Sequence, residues 1–202
     1  NAGFEIEMNA HILTGNFKFD LNGNFSHNKN TVKALGANNT PIPGIANGFQ
    51  VSLTEVGQPI GAYYLIPVIG IFQTQDEVNN NPVSKVENPG DFKYKDSNRD
   101  GVIDDKDRQI VGHNNPDYTW GITPAFQFRN FDLAIFLNGE WGNNLVNVQT
   151  KEDGQSRANV LSYWLDRWKS PGDPGNGRVP RAAVTANLTT ASTFWMFNAG
   201  FW

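Results

Sequence analysis

An all-β fold of antiparallel strands is predicted by three features of this 202-residue sequence. Apolar and polar side chains alternate over runs of about ten residues. Those runs come in pairs joined by tight turns. The composition agrees: 14 Phe, 6 Trp and 5 Tyr suit strands, while 26 Asn, 20 Gly and 11 Pro punctuate turns and disfavour helices.

The first run places Phe4, Ile6, Met8, Ala10 and Ile12 on one face and Glu5, Glu7, Asn9 and His11 on the other. Thr14-Gly15 supplies a turn. Phe17, Phe19, Leu21, Gly23 and Phe25 then alternate with Lys18, Asp20, Asn22 and Asn24, which reads as a β-hairpin. A first long connection follows over 28–116. The second hairpin begins with Tyr118, Trp120, Ile122, Pro124, Phe126 and Phe128 on one face. After a turn at Arg129-Asn130 it continues with Phe131, Leu133, Ile135 and Leu137, extended by Gly139 and Trp141. Pro124 cannot donate to a ladder and marks an irregular point. In a second long connection, 142–192, Leu161, Trp164, Leu165 and Trp168 fall at i, i+3, i+4 and i+7. This predicts an amphipathic helix over Arg157–Lys169, stopped by Pro171-Gly172-Asp173-Pro174-Gly175. A last strand is expected from Thr193.

Tight turns at one end and long connections at the other describe a strip of transmembrane β-barrel. The same alternation also describes a soluble β-sandwich, in which the apolar face is core. Periodicity leaves both open. No apolar run reaches the ~20 residues of a spanning helix, and Asn1-Ala2-Gly3-Phe4 does not read as a signal peptide. With 16 basic and 20 acidic side chains and a net charge of −4, there is no positive field to collect nucleic acid. The absence of cysteine removes disulfides, thiolate metal sites and thiol nucleophiles.

The most specific local motif is acidic. Counted from Asp96, oxygen-bearing side chains fall at positions 1 (Asp96), 3 (Asn98), 5 (Asp100), 9 (Asp104) and 12 (Asp107), with Gly101 at position 6. This is the spacing of an EF-hand-type calcium loop, whose alternate side chains converge on a hard cation needing six to eight oxygens. The Val102 carbonyl takes the position-7 role. Position 12 is Asp rather than the bidentate Glu of ordinary EF-hands, as in dockerin-like modules. Residues 87–107 carry seven acids and four bases, a net of −3. A solvated turn rich in Asp and Asn is the plain alternative.

The stretch from Pro89-Gly90-Asp91-Phe92-Lys93-Tyr94 through Asp96–Arg108 into Ile110-Val111-Gly112-His113-Asn114-Asn115-Pro116 and Gly121 resembles a long conserved-looking segment, GDxxYxDxNxDGxIDxxDR, of one family. It is similar to the barrel of SusC/RagA-type TonB-dependent outer-membrane transporters of Bacteroidetes. Val56-Gly57-Gln58-Pro59-Ile60-Gly61, Gly70-Ile71-Phe72-Gln73-Thr74, Phe131-Asp132-Leu133 and Tyr163–Trp168 also match the family's manner, so the resemblance spans nearly the whole chain.

The resemblance implies that residues 1–202 are the C-terminal part of a roughly 22-stranded barrel. On that basis 28–116 is an extracellular loop stiffened by a structural Ca2+ at the acidic motif. Residues 142–192 are a second extracellular loop with a short helix. It also implies import of oligosaccharide or peptide, a SusD-like surface lipoprotein as partner, TonB acting through parts outside this stretch, outer-membrane lipid around the strands, and the bacterial outer membrane as location. A strip of about five strands cannot close a barrel, so a larger protein is expected. The competing reading is a soluble calcium-dependent carbohydrate-binding or adhesion module of sandwich type.

Catalysis is not expected. His11, His27 and His113 have no metal-site or base–nucleophile spacing. Glu5 and Glu7 share a strand face, which an alternating polar face explains more simply than a glycosidase pair. Trp164 and Trp168 at helical spacing suit packing better than sugar stacking.

Overall fold

The computed structural model describes residues 1–81, 87–148, 160–182 and 191–202. In chain order the strands are β1 (Ala2–Thr14), β2 (Phe17–Lys29), β3 (Ile42–Ala46), β4 (Phe49–Thr54), β5 (Ala62–Leu65), β6 (Val68–Ile71), β7 (Phe92–Tyr94), β8 (Gln109–Gly112), β9 (Tyr118–Phe128), β10 (Phe131–Ala134), β11 (Leu137–Trp141), β12 (Asn144–Val146) and β13 (Met196–Asn198). One short helix, α1, covers Gln75–Asn79.

The alternating runs form an antiparallel strip in which β1, β2 and β9 lie side by side and β10 and β11 both pair with the far edge of β9. Register brings the apolar residues into rows. Phe17 faces Phe128, Phe19 faces Phe126, Phe25 faces Trp120 and His27 faces Tyr118. Phe131, Leu133, Leu137 and Trp141 extend those rows across β9. Near the turns, Phe19 and Phe126 stack at 4.7 Å. At the other end His27, Tyr118 and Trp141 form a stacked series with ring separations of 4.6 and 5.1 Å. Met8, Leu21, Ile122 and Leu137 fill the band between. Ten residue steps separate the outer rows, about 34 Å along a strand and about 26 Å when tilted by ~40°. That matches the ~25 Å apolar band between aromatic girdles of a membrane barrel.

Among the described residues no second sheet covers this face. Phe131 is 79% exposed and Leu133 56%. In a β-sandwich these side chains would be core, so the sandwich reading fails on the fold: the buried clusters lie elsewhere. No helix among the described residues is long and apolar enough to cross a membrane, which says nothing about strands.

Two local departures from strict alternation have physical causes. A bulge between His11 and Leu13 leaves Ile12 unpaired and sets Leu13, not Ile12, opposite Phe19. Pro124 keeps its place opposite Leu21, because its carbonyl points away from β2 toward Ile135, whose N–H donates to it at 3.0 Å. The return bond needs an N–H that proline lacks. The ladder is broken there, and β10 and β11 are the two halves of what alternation reads as one strand.

The long connections are folded. β3, β4, β5 and β8 form a four-stranded sheet; β6–β7 and β12–β13 form two-stranded ones. One buried cluster joins Ile66, Ile71, Phe92 and Tyr94 of the first connection to Trp164, Trp168 and Val179 of the second. Another gathers Val51, Leu65, Ala191 and Trp195. The two connections therefore make one head. The Ile66 N–H donates to the Ala191 carbonyl and the Thr193 N–H to the Ile66 carbonyl, each at 3.1 Å.

The helix expected over Arg157–Lys169 is replaced, among the described residues, by a single 3-10 segment at Ser162–Asp166; 157–159 lie outside the described residues. Trp164 and Trp168 are buried, whereas Leu161 and Leu165 are exposed. The Trp164 N–H bonds back three residues to Leu161, and the Trp168 N–H then leaves for the Val179 carbonyl at 3.0 Å. Pairing with 173–179 ends the helix before a second turn. The expected last strand starts at Met196 rather than Thr193, after a 3-10 turn at Thr193–Trp195.

Gly90 and Asp91 tie the connections together. Gly90 has φ +91°, and a Cβ there would overlap the Trp168 ring. The Arg181 N–H donates to the Gly90 carbonyl at 2.8 Å, and Arg181 Nε donates to the buried Asp91 Oδ1 at 2.6 Å.

Two outcomes are expected. Leu137→Arg, in the middle of the apolar band, should lower the unfolding free energy in lipid vesicles by about 2–4 kcal/mol, while Asn138→Arg on the opposite face should change it far less. Gly90→Ala should cost about 1–3 kcal/mol through overlap with Trp168, read as increased protease cleavage in the head with the strip unchanged.

Candidate functional site

The acidic motif follows β7 and ends in a 3-10 turn at Asp105–Asp107 that leads into β8. Short polar side chains that can accept hydrogen bonds from their own backbone wind such a loop. Asp96 accepts from the N–H of Arg99 at 2.6 Å and of Gly101 at 2.9 Å. Asn98 Oδ1 accepts from the Asp100 N–H at 3.0 Å, and Asp100 Oδ1 from the Val102 N–H at 3.0 Å. Gly101, at φ +80°, allows the sharp reversal.

Asp107 closes the loop. It is fully buried, and its Oδ1 accepts from the N–H of Ser97 at 2.7 Å and of Asn98 at 3.4 Å. Its Oδ2 accepts from the Asp104 N–H at 2.9 Å, and the Asp104 side chain accepts in turn from the Asp107 N–H, a reciprocal capping box; Asp104 also accepts from the Lys106 N–H at 2.7 Å. The Asp at position 12 is thus the clamp joining the two ends of the loop. Ile103 packs against the cluster containing Phe92 and Trp164. Arg108 fixes the exit by donating to Asp105 Oδ1 at 2.8 Å and to the Gln50 carbonyl.

Hydrogen bonds from Asn98 and then from the Val102 N–H hold the Asp100 carboxyl below its ordinary pKa, with Lys106 a smaller contributor. Its proton uptake is therefore displaced toward lower pH than that of an unperturbed aspartate.

The structure brings Asp96, Asn98, Asp100, Val102, Asp104 and Asp107 into one loop. Asp100 is turned onto Asn98 and Val102, and Asp104 onto Lys106. Among the described residues no three His, Asp or Glu side chains stand close enough to share one ion. Holding a cation therefore requires Asp100 and Asp104 to rotate from these hydrogen bonds. The buried Ser97 Oγ has no partner.

Trp164 and Trp168 are buried in the head and do not form a sugar platform. Sequence reasoning missed the Asp91–Arg181 pair, whose members are ninety positions apart; Gly90-Asp91 in the long motif was the available signal. It also missed a cavity of about 570 Å3 between the two connections.

No protein-family model matches the chain. It is 28% identical over 197 residues to TonB-dependent receptor P3 of Formosa agariphila, covering 95% of this chain and 20% of that protein. It is 26% identical over 167 residues to TonB-dependent receptor SusC of Bacteroides thetaiotaomicron, covering 74% of this chain and 15% of SusC. The solved RagAB peptide transporter superposes with a TM-score of 0.69 at 15% identity, over 98% of this chain and 21% of that one. The chain spans between about a seventh and a fifth of the length of these proteins. The fold shared is all-β and antiparallel, that of a barrel segment. Proteins of this type are outer-membrane barrels, and the bare apolar face between two aromatic bands is what that location demands.

Asp107→Ala should leave the Ser97, Asn98 and Asp104 amides without their acceptor, costing about 1–3 kcal/mol locally. Hydrogen exchange at those amides should accelerate while β2 and β9 remain protected.

Proposed function

From its match, as a part, to the SusC/RagA family of TonB-dependent receptors, we infer that the chain is a C-terminal section of the barrel of an outer-membrane nutrient transporter. The observation that carries this reading is the strip itself. One face is apolar and bare, the other carries Glu5, Glu7, Lys18, Asp20 and Asn22, and β1 has no strand beyond it among the described residues. Unpaired backbone is not tolerated in lipid, so the strip is completed by further strands, about 22 in the closed barrel. The tight turns face the periplasm, the head faces outward, and the polar face lines the lumen.

In this reading a SusD-like lipoprotein covers the head, and TonB acts through parts of the protein beyond this stretch. The cargo is an oligosaccharide or a peptide; RagAB, by its description, carries peptides. The protein performs no covalent chemistry, and the relatives are receptors rather than enzymes.

The acidic loop holds Ca2+ through Asp96, Asn98, Asp100, the Val102 carbonyl, Asp104 and Asp107. Support comes from the oxygen spacing and from the turn wound around Gly101; Asp100 and Asp104 would turn from their present hydrogen bonds to reach the ion. A bound cation would stiffen the loop between β7 and β8 and so the surface offered to the lipoprotein and cargo, lowering the ordering cost of recognition.

Cells that depend on the full-length receptor should lose uptake of its cargo when TonB is deleted; uptake that continues without TonB would sink the transport reading. Calcium is tested separately on the purified receptor. Titration should give saturable binding that the double change Asp96→Ala and Asp100→Ala weakens at least about tenfold, and chelator should increase cleavage within 96–107. Absence of binding together with unchanged cleavage would refute the calcium site.

A further inference from the structure

We propose that a second cavity of about 570 Å3, at the seam between the two connections, is a site for a phosphate group held by Arg167, Lys169 and Arg181. This goes beyond the transport reading and does not depend on it.

The cations come from two short stretches of the second connection. Arg167-Trp168-Lys169 precedes the turn at Ser170–Asp173, and Arg181 follows the buried Val179-Pro180. The Trp168 N–H bond to the Val179 carbonyl lays the two stretches side by side. The Arg181 N–H bond to the Gly90 carbonyl then ties them to the first connection. All three cations line the cavity, together with Pro89, Trp168 and Pro171, and no Asp or Glu belongs to the lining among the described residues.

The carboxylates nearby leave a positive surplus. Buried Asp91 accepts from Arg181 Nε at 2.6 Å and from the Asn88 N–H at 2.9 Å. Lys169 Nζ meets Asp173 at 2.9 Å, with both side chains about half exposed. An exposed pair of this kind is weak, and it leaves two ammonium N–H groups to spend. Arg167 donates from Nη1 to the Trp164 carbonyl at 3.2 Å and has no carboxylate partner among the described residues. The hydrogen bond from Lys169, and to a smaller extent the charges of Lys169 and Arg167, hold the Asp173 carboxyl below its ordinary pKa. Both cations therefore act on one place.

The arrangement favours phosphate over a simple carboxylate. One guanidinium satisfies a planar carboxylate through two parallel bonds. Cations from three positions suit a group with more oxygens and nearly two negative charges. Arg181, held along one edge by a buried carboxylate, is already oriented, so little freedom is lost when an anion arrives. The volume lies within the ~300–1,000 Å3 usual for ligand sites, with room beyond the anion for the molecule that carries it.

Binding of inorganic phosphate to the purified full-length receptor in detergent, followed by equilibrium dialysis at physiological salt, is the experiment. Binding should be saturable, displaced by glucose 6-phosphate and untouched by glucose. Arg167→Gln and Lys169→Gln should each weaken it at least about fivefold. Asp173→Asn, which removes the carboxylate competing for Lys169, should tighten it about twofold or more, a gain that misfolding cannot produce. Arg178→Gln, a cation outside this lining, should leave it unchanged. Stronger displacement by glucose 6-phosphate than by phosphate itself identifies a phosphate ester as the occupant, and the reverse identifies the free ion; either supports the site. No saturable binding, undiminished binding in Arg167→Gln and Lys169→Gln, weakening by Asp173→Asn, an equal loss in Arg178→Gln, or displacement by glucose would each overturn it.

Discussion

The pairing of β2 with β9 is the constraint on which the rest depends. Eleven successive partners, from Phe17–Phe128 to His27–Tyr118, run without a register shift between segments about a hundred positions apart. Closing a loop of some ninety residues costs about 4 kcal/mol in chain entropy, and a continuous ladder in a medium without water is well able to offset it. The pairing also decides geometry. It sets His27 beside Tyr118, so the first connection leaves and re-enters the strip at one point, where the Asn28 N–H meets the Asp117 carbonyl at 3.0 Å.

From that point the head is built by long-range contacts between short elements. β5 and β8 pair across more than forty positions, and β7 meets Trp164 and Trp168 of the other connection in a shared cluster. Asp91 and Arg181 complete the junction. Asp107 does on a small scale what this pair does on a larger one: a buried carboxylate gathers N–H or guanidinium donors from chain segments that lack a strand to hold them.

This explains what was legible in the sequence. The strip was, because period-two alternation is a local signal repeated over ten residues and the aromatic rows follow from it. The bulge at Ile12 was not, since both Ile12 and Leu13 are apolar and a one-residue slip leaves no local mark. Pro124 announced an irregularity but not its side; that depends on which neighbour its carbonyl faces. In the head, strands of three to six residues carry too little alternation to be read, and their partners are distant. The spacing of Trp164 and Trp168 satisfied a helix pattern, but Leu161 and Leu165 are exposed, without apolar cover among the described residues. The acidic motif was visible as a spacing. The clamp role of Asp107 was not, because it depends on burial.

Because the first connection starts and ends within one hydrogen bond of itself, the strip senses only its two anchor residues and not its contents. The head is in that sense a cassette. Its length and surface can be rewritten while the lipid-facing rows keep the same side chains, so one strip can carry heads of very different content.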